Sequence, residues 1–282
     1  MKSLSALFPK NLIAAIAAAL AVAGATAAFA DEPTVADSSA AEPSTIDVLA
    51  AEAQSIESSE IDSPAPVVTA VALLSRALDA LPREKIGVTG TLTVRRQRGR
   101  VLAEKSFEMW LDYGAATPSA TYEIKDSFGR VEDRLTLRRG EGDSAVIELV
   151  RGDPPEPAPV PALNARVGGT DLTWMDITLD FLWWKDATFE GEDSVKGRDC
   201  YVVVASPPEP IPGCIAVRLW LDKEVGFVMR AEQLDPQGEP SRRMWVQSVR
   251  QVKGRWIIGT MEIESLNGDH RTRLRMEDLL DP

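Results

Sequence analysis

Apolar residues change their spacing along this chain, and each change marks a part of the molecule. Leu12 to Ala23 is an unbroken apolar run, whereas residues 31–63 are mainly Ala, Ser, Glu, Asp and Pro with no aromatic residue. A segment of the second kind buries too little apolar surface to offset its ordering entropy, so a disordered tether is expected there. Val67, Val71, Leu74, Leu78 and Leu81 then recur at steps of four and three. That spacing predicts one helix, entered through Pro64 or Pro66 and stopped by Pro82.

Beyond Pro82 the period falls to two, which predicts strands. Residues 86–96 and 102–113 flank the turn Gln97-Arg98-Gly99-Arg100, and Phe107, Met109, Leu111 and Tyr113 alternate with Glu108, Trp110 and Asp112, so one face is apolar. Residues 120–125, 131–138 and 145–151 continue an up-and-down meander. The proline-rich stretch 154–161 is expected to be an extended loop and not a strand. Leu172, Met175, Leu179 and Leu182 return to helical spacing, with Thr173 or Asp171 able to cap, so a second helix is predicted over 170–182. Strands resume at 188–192, 200–205, 215–222, 226–234, 243–252, 256–265 and 272–276. Between them stand Val195-Lys196-Gly197, Pro236-Gln237-Gly238, Lys253-Gly254 and Asn267-Gly268 as turns. The expected class is mainly β (α+β): a curled antiparallel sheet, or unclosed β-barrel, with helices covering its concave face. A closed barrel is the near alternative.

Charge separates the parts further. Of a formal charge of −12 over 282 residues, the nine acidic and no basic residues between 31 and 65 carry most. Setting aside that segment together with Lys2 and Lys10 leaves −5 for residues 66–282. No basic stripe remains of the kind that releases counterions from nucleic acid, so a nucleic-acid partner is not expected. Lys2, Lys10, the apolar run and the small residues ending Ala28-Phe29-Ala30 have the three-part layout of a secretory signal. Cleavage between Ala30 and Asp31, with export to the periplasm, is the expectation. An uncleaved anchor is the alternative, because residues 12–30 hold no charge over a length just sufficient to span. The parts are then a signal peptide at 1–30, an acidic tether at 31–65 and one folded domain at 66–282.

The strongest recurring signature lies in residues 166–276. Gly168-Gly169-Thr170-Asp171-Leu172-Thr173-Trp174-Met175-Asp176 is followed by Val195-Lys196-Gly197-Arg198-Asp199-Cys200-Tyr201-Val202 and by Val217-Arg218-Leu219-Trp220-Leu221-Asp222-Lys223. Arg230-Ala231-Glu232 through Gly238, and Met261-Glu262-Ile263 to His270-Arg271-Thr272-Arg273-Leu274, come in the same order. This series resembles the outer-membrane lipoprotein-sorting proteins of the LolA-like periplasmic carrier family. The resemblance implies an unclosed antiparallel barrel holding helices over an apolar cavity that accepts acyl chains. It also implies lipoprotein or lipid acyl chains as partners, with a membrane-bound transfer partner besides.

Catalytic chemistry finds little support. The chain has one histidine, His270, between Asp269 and Arg271 beside the Asn267-Gly268 turn, where a solvated turn residue is expected and not a general base. No cysteine or histidine pair has metal-ligand spacing, and no glycine-rich phosphate cradle is present, so neither metal nor cofactor is expected. Acidic residues are numerous, but nothing in the order of the chain places two of them in a cleft. Arg151-Gly152-Asp153 is three common residues in a loop. Cys200 and Cys214 are out of register in a simple hairpin, by about four residues at ~3.3 Å each, so two buried thiols are expected.

Trp174, Phe181, Trp183 and Trp184 concentrate aromatic surface around the second predicted helix. They form either ordinary core or a cavity wall. In the second case the acyl-contact residues are Met109, Leu111, Trp174, Leu179, Phe181, Leu182, Trp183, Leu219, Leu221, Phe227 and Met229. The expected function is a non-enzymatic periplasmic carrier of acyl chains; the alternative is a scaffold or protein-binding module whose core is filled by its own side chains. N-terminal sequencing of the exported protein is expected to begin at Asp31. Met1 retained in a membrane fraction would replace the exported carrier with an anchored one.

Overall fold

The computed structural model describes residues 69–96, 99–140 and 145–281. The leader and the whole acidic segment expected from the sequence lie outside these residues. Thirteen strands form one antiparallel sheet in the order β6-β5-β4-β3-β2-β1-β13-β12-β11-β10-β9-β8-β7. Chain order explains that arrangement. β1 (Ile86–Arg96) starts the sheet, and β2 (Val101–Asp112), β3 (Ser119–Lys125), β4 (Val131–Arg139), β5 (Ala145–Arg151) and β6 (Glu156–Ala158) follow as hairpins to one edge. β7 (Asp186–Val195), β8 (Arg198–Ser206), β9 (Ala216–Asp222), β10 (Val228–Leu234), β11 (Pro240–Val252), β12 (Arg255–Ser265) and β13 (His270–Leu280) meander back from the other edge. β13 closes on β1, from Gly87 opposite Leu280 to Arg96 opposite His270. The two edge strands β6 and β7 do not pair, so the barrel stays open. The link between them, residues 159–185, has to cross the open side.

The inner face is set by alternation. Leu92 faces Leu274, Val88 faces Met109, Met109 faces Tyr122, and Tyr122 faces Leu135 across successive strands. On the other arm Leu219 faces Ala231, Ala231 faces Met244, and Met244 faces Ile263. All of these are buried. On the outer face, arginine and glutamate alternate instead: Glu262 receives Arg95, Arg271 and Arg273, and Glu232 receives Arg230 and Arg243. Tight hairpins use the turn chemistry read from the sequence. Lys196-Gly197 and Lys253-Gly254 take positive φ at both positions, as a two-residue turn requires.

Three elements differ from expectation. Helix α1 (Ala70–Asp79) forms, capped by Thr69, whose side chain accepts from the Ala72 amide at 3.2 Å. It buries Ala70, Leu73, Leu74 and Ala77 and leaves Val71 exposed. Two stripes at helical spacing overlap in this segment, and the one rich in small alanines brings the helix backbone nearer the sheet. The second predicted helix is much shorter than expected. α2 (Trp174–Thr178) carries a capping box in which Thr173 and Asp176 satisfy one another's backbone amides. Leu179 at φ 49° ends it, and one 3-10 turn, Asp180–Trp183, follows. A left-handed leucine costs roughly 1–2 kcal/mol, which burial of its own side chain offsets. Within the proline-rich stretch the three residues of β6 pair with β5, Pro157 lying opposite Val150. Proline is tolerated there because β6 is an edge.

Candidate functional site

The segment that crosses from β6 to β7 fills the concave face as a plug. Leu172, Trp174, Met175, Ile177, Leu179, Phe181, Leu182 and Trp184 are all buried and join a single apolar cluster with both arms of the sheet and with α1. Ten of the eleven residues predicted to meet an acyl chain belong to that cluster: Met109, Leu111, Trp174, Leu179, Phe181, Leu182, Leu219, Leu221, Phe227 and Met229. Trp183 packs against it half-buried. The plug meets the sheet closely. Beside Met175, Asp176 and Phe181 on one side and Ala231, Arg242 and Met244 on the other, the void is about 10 Å³, room for no more than one water molecule.

Two arginines fasten the plug, one from each arm, Arg139 buried and Arg242 half-buried. Arg242 on β11 donates to Asp176 Oδ2 at 2.7 Å and to the Asp171 carbonyl, and reaches Thr173 Oγ1 at 3.4 Å. Arg139 at the end of β4 donates to Asp180 Oδ1 at 2.9 Å while its guanidinium lies 3.6 Å from the Trp183 ring centre. Trp184 Nε1 donates to the other Asp180 oxygen at 3.0 Å. A third contact pins the start of the plug. Asp171, fully buried, accepts from Thr272 Oγ1 at 3.0 Å and is hydrogen-bonded to His270 Nδ1 at 2.9 Å. His270 is therefore one quarter exposed and held by a buried carboxylate, not a solvated turn histidine. Its ring, one carboxylate and a threonine form no nucleophilic device, because the threonine lies on the carboxylate and not on the ring.

Some buried polar atoms on the plug and its fastenings lack a hydrogen bond, as Arg95 Nε and Arg271 Nε do elsewhere; Arg166 lies 3.8 Å from Asp171 Oδ1. Asp171 Oδ1, Trp174 Nε1, Arg139 Nε and Arg242 Nε are buried with no hydrogen-bond partner among the described residues. Burial also raises the Tyr113 and Tyr122 hydroxyls above the ordinary tyrosine range, the two lying 3.5 Å apart near Arg139. Cys200 and Cys214 are free and buried as expected; burial pushes their thiols up to about 12 and about 11. Such thiols are almost wholly protonated at neutral pH and poor nucleophiles. Among the described residues no cluster of His, Cys, Asp and Glu suits a metal ion, and no helix is long and apolar enough to cross a membrane. A larger pocket of about 480 Å³ lies at the opposite rim among Glu84, Lys85, Lys253, Arg255 and Asp281. Five of its eight lining residues are charged, which suits an acyl chain poorly.

The signals for these fastenings were uneven in the sequence. Thr173 and Asp176 are a recognisable capping pair, but their ties to Arg242, and those of Asp180 to Arg139, span 66 and 41 residues. Nothing local marks either arginine among the many in alternating strands.

Geometry of this kind defines a half-barrel with a covered concave face. Similar folds are known. A DUF1329 family protein from Desulfovibrio piger superposes with a TM-score of 0.62 at 17% identity, over 74% of this chain and 90% of that one. A putative outer membrane lipoprotein-sorting protein domain from Vibrio parahaemolyticus gives 0.60 at 12% identity, over 73% and 90%. A LolA superfamily protein from Nitrosomonas europaea gives 0.57 at 15% identity, over 76% and 95%. A family model described as an uncharacterized protein matches residues 159–280, the plug and the second arm. No curated protein matches in sequence. The fold is thus that of the LolA-like unclosed barrels.

If the plug is held as described, Arg139→Met should cost about 3 kcal/mol, because it leaves the half-buried Asp180 beside Trp184 without its cation. The surface variant Lys253→Gln, at an exposed pair with Asp281, should stay within about 0.5 kcal/mol. Urea unfolding followed by tryptophan fluorescence measures both, and equal effects would show that Arg139 does not fasten the plug.

Proposed function

We propose that this chain is a periplasmic carrier of acyl chains, of lipoprotein or lipid origin, which it shelters between the concave sheet and a displaceable plug. The observation that carries the reading is the way the plug is attached. It is not woven into the sheet by strand pairing; it lies on an apolar surface and is fastened at its polar ends by Arg139, Arg242 and Thr272. A ligand of methylenes replaces apolar contacts with apolar contacts, so exchange of plug for acyl chain costs little on the sheet side. Ten buried methylenes supply on the order of 8 kcal/mol before entropic costs, enough to compete with such fastenings. Trp174 Nε1, Arg139 Nε and Arg242 Nε, buried without a hydrogen bond among the described residues, favour the same reading, since they lower the stability of the closed arrangement relative to a fully paired core. The neighbours in fold, one of them described as a putative outer membrane lipoprotein-sorting protein domain, agree with it.

A second reading is a scaffold whose concave face is permanently filled. The void of about 10 Å³ where Met175 and Phe181 meet Ala231 and Met244 favours it, because plug and sheet lie nearly in contact there.

Titration with a fluorescent fatty-acid analogue separates the two. A carrier should bind near one to one, and Arg242→Gln, which frees the plug, should tighten binding about tenfold or more by raising the fraction of open protein. Leu221→Asp, checked for folding by circular dichroism, should abolish binding by placing a carboxylate on the apolar floor. No binding by wild type or by Arg242→Gln, with the latter merely less stable, establishes the filled scaffold.

A further inference from the structure

We propose that the ligand sheltered under the plug is an anionic amphiphile whose charged head takes the place of the Asp180 carboxylate on Arg139, an inference that rests on the carrier reading and narrows it to one class of acyl ligand. Charge is divided unequally between plug and sheet. Residues 171–184 hold three aspartates and no lysine or arginine. Two of these carboxylates, Asp176 and Asp180, pair with arginines of the sheet, Arg242 on β11 and Arg139 at the end of β4. A plug that lifts takes both carboxylates with it and leaves both guanidiniums on the apolar floor.

Of the two, Arg139 depends more on its partner. Its side chain is 5% exposed, and Asp180 is its one ion pair among the described residues. Its Nε is buried with no hydrogen-bond partner among the described residues, so one prong of the fork is already free. Asp133, also turned inward on β4, stands about 20 Å away along the strand and pairs with Arg151. Arg242 differs, because it also reaches Gln233 Oε1 at 3.3 Å, a contact within the sheet that stays when the plug goes. A buried guanidinium left without an anion is costly, so a neutral acyl chain is a poor exchange for the plug. A carboxylate or phosphate head is a good one, because it returns two oxygens to the fork.

The surroundings suit such a head. The Tyr113 and Tyr122 hydroxyls lie 3.5 Å apart within the field of Arg139, and both belong to the sheet side and stay behind. Burial raises both, so they keep their protons and can donate to an anion. In the closed protein the Trp183 ring covers the guanidinium, 3.6 Å from ring centre to cation, and lifting the plug uncovers it. Asp180 is 15% exposed and Trp183 half-buried, so the seat lies at the margin of the apolar cluster. A head held there stays near water while its chain runs inward over Leu137 and Leu135, buried on the same face of β4.

The test is titration of the full exported protein with decanoate, decyl phosphate and decanol, each below its micellar concentration, followed by tryptophan fluorescence. The quantity read is the ratio of affinities for anionic and neutral ligand, from which the fraction of open protein cancels. Wild type should prefer at least one anion over decanol about tenfold or more, and the tighter of the two tells a fatty-acid source from a phosphate ester. Arg139→Gln should bring the ratio to about one while decanol still binds. Arg255→Gln, at an exposed pair with Glu84, should leave the ratio unchanged. Where Arg139→Gln fails to fold, Arg139→Lys decides: a point charge in place of the fork should lower the ratio about threefold. Equal affinity of wild type for decanol and both anions, or an unchanged ratio in the Arg139 variant, overturns the proposal and leaves the carrier standing. Binding of none of the three overturns both.

Discussion

An antiparallel sheet that curls without closing has an apolar face and no second sheet to cover it. That constraint governs this molecule. Thirteen strands place Leu92, Met109, Tyr122, Leu219, Met244 and Ile263 on one concave surface, and the two unpaired edges leave it open. The chain covers the surface with the segment that has to travel from one edge to the other. Trp174, Phe181 and Leu182 supply the apolar contact; the polar backbone that such a crossing brings indoors is met by the Thr173–Asp176 capping box, Arg242 and Thr272, and the Asp180 carboxylate by Arg139.

In the proposed carrier, the same constraint makes the cover replaceable. A strand could not leave without breaking a ladder of hydrogen bonds, whereas a plug held by side chains at its ends breaks few polar contacts, and what its leaving costs is the apolar surface of residues such as Trp174, Phe181 and Leu182 that it uncovers. Buried ion pairs of this kind contribute modestly to net stability, because desolvation consumes most of their attraction, yet they fix one arrangement of the parts. Arg139 and Arg242 come from different arms, so the plug also ties the β1–β6 arm to the β7–β13 arm across the open side. Its release would free both arms to separate and enlarge the space between them.

Much of this architecture is legible in the sequence for a physical reason. Where one face of a strand is buried, the period of two is strongly imposed, and β1 occurs over the residues that alternation marks. The Lys-Gly turns are legible because few residues accept positive φ. The misreadings occur where local pattern and tertiary contact compete. In α1 two apolar stripes overlap and packing chose the one with alanines; in 170–182 the spacing is helical, but Leu179 turns left-handed so that the plug fits the sheet. The eleven apolar site candidates were visible as apolar residues, whereas the arginines that fasten the plug were not, since alternating arginine is also what a solvated outer face looks like. His270 failed in the same way: its neighbours in sequence are polar and exposed, and its partner Asp171 is 99 residues away.

The central claim is that the plug is a cover and the sheet a receptor. Hydrogen exchange read by mass spectrometry tests it directly, comparing the protein alone with the protein saturated by a fatty-acid analogue. The account predicts that amides of residues 171–183 lose protection on binding while those of β1 and β13 at the seam keep theirs. Unchanged or increased protection of 171–183 with acyl ligand bound would contradict it, because the ligand would then sit elsewhere and the plug would be permanent core.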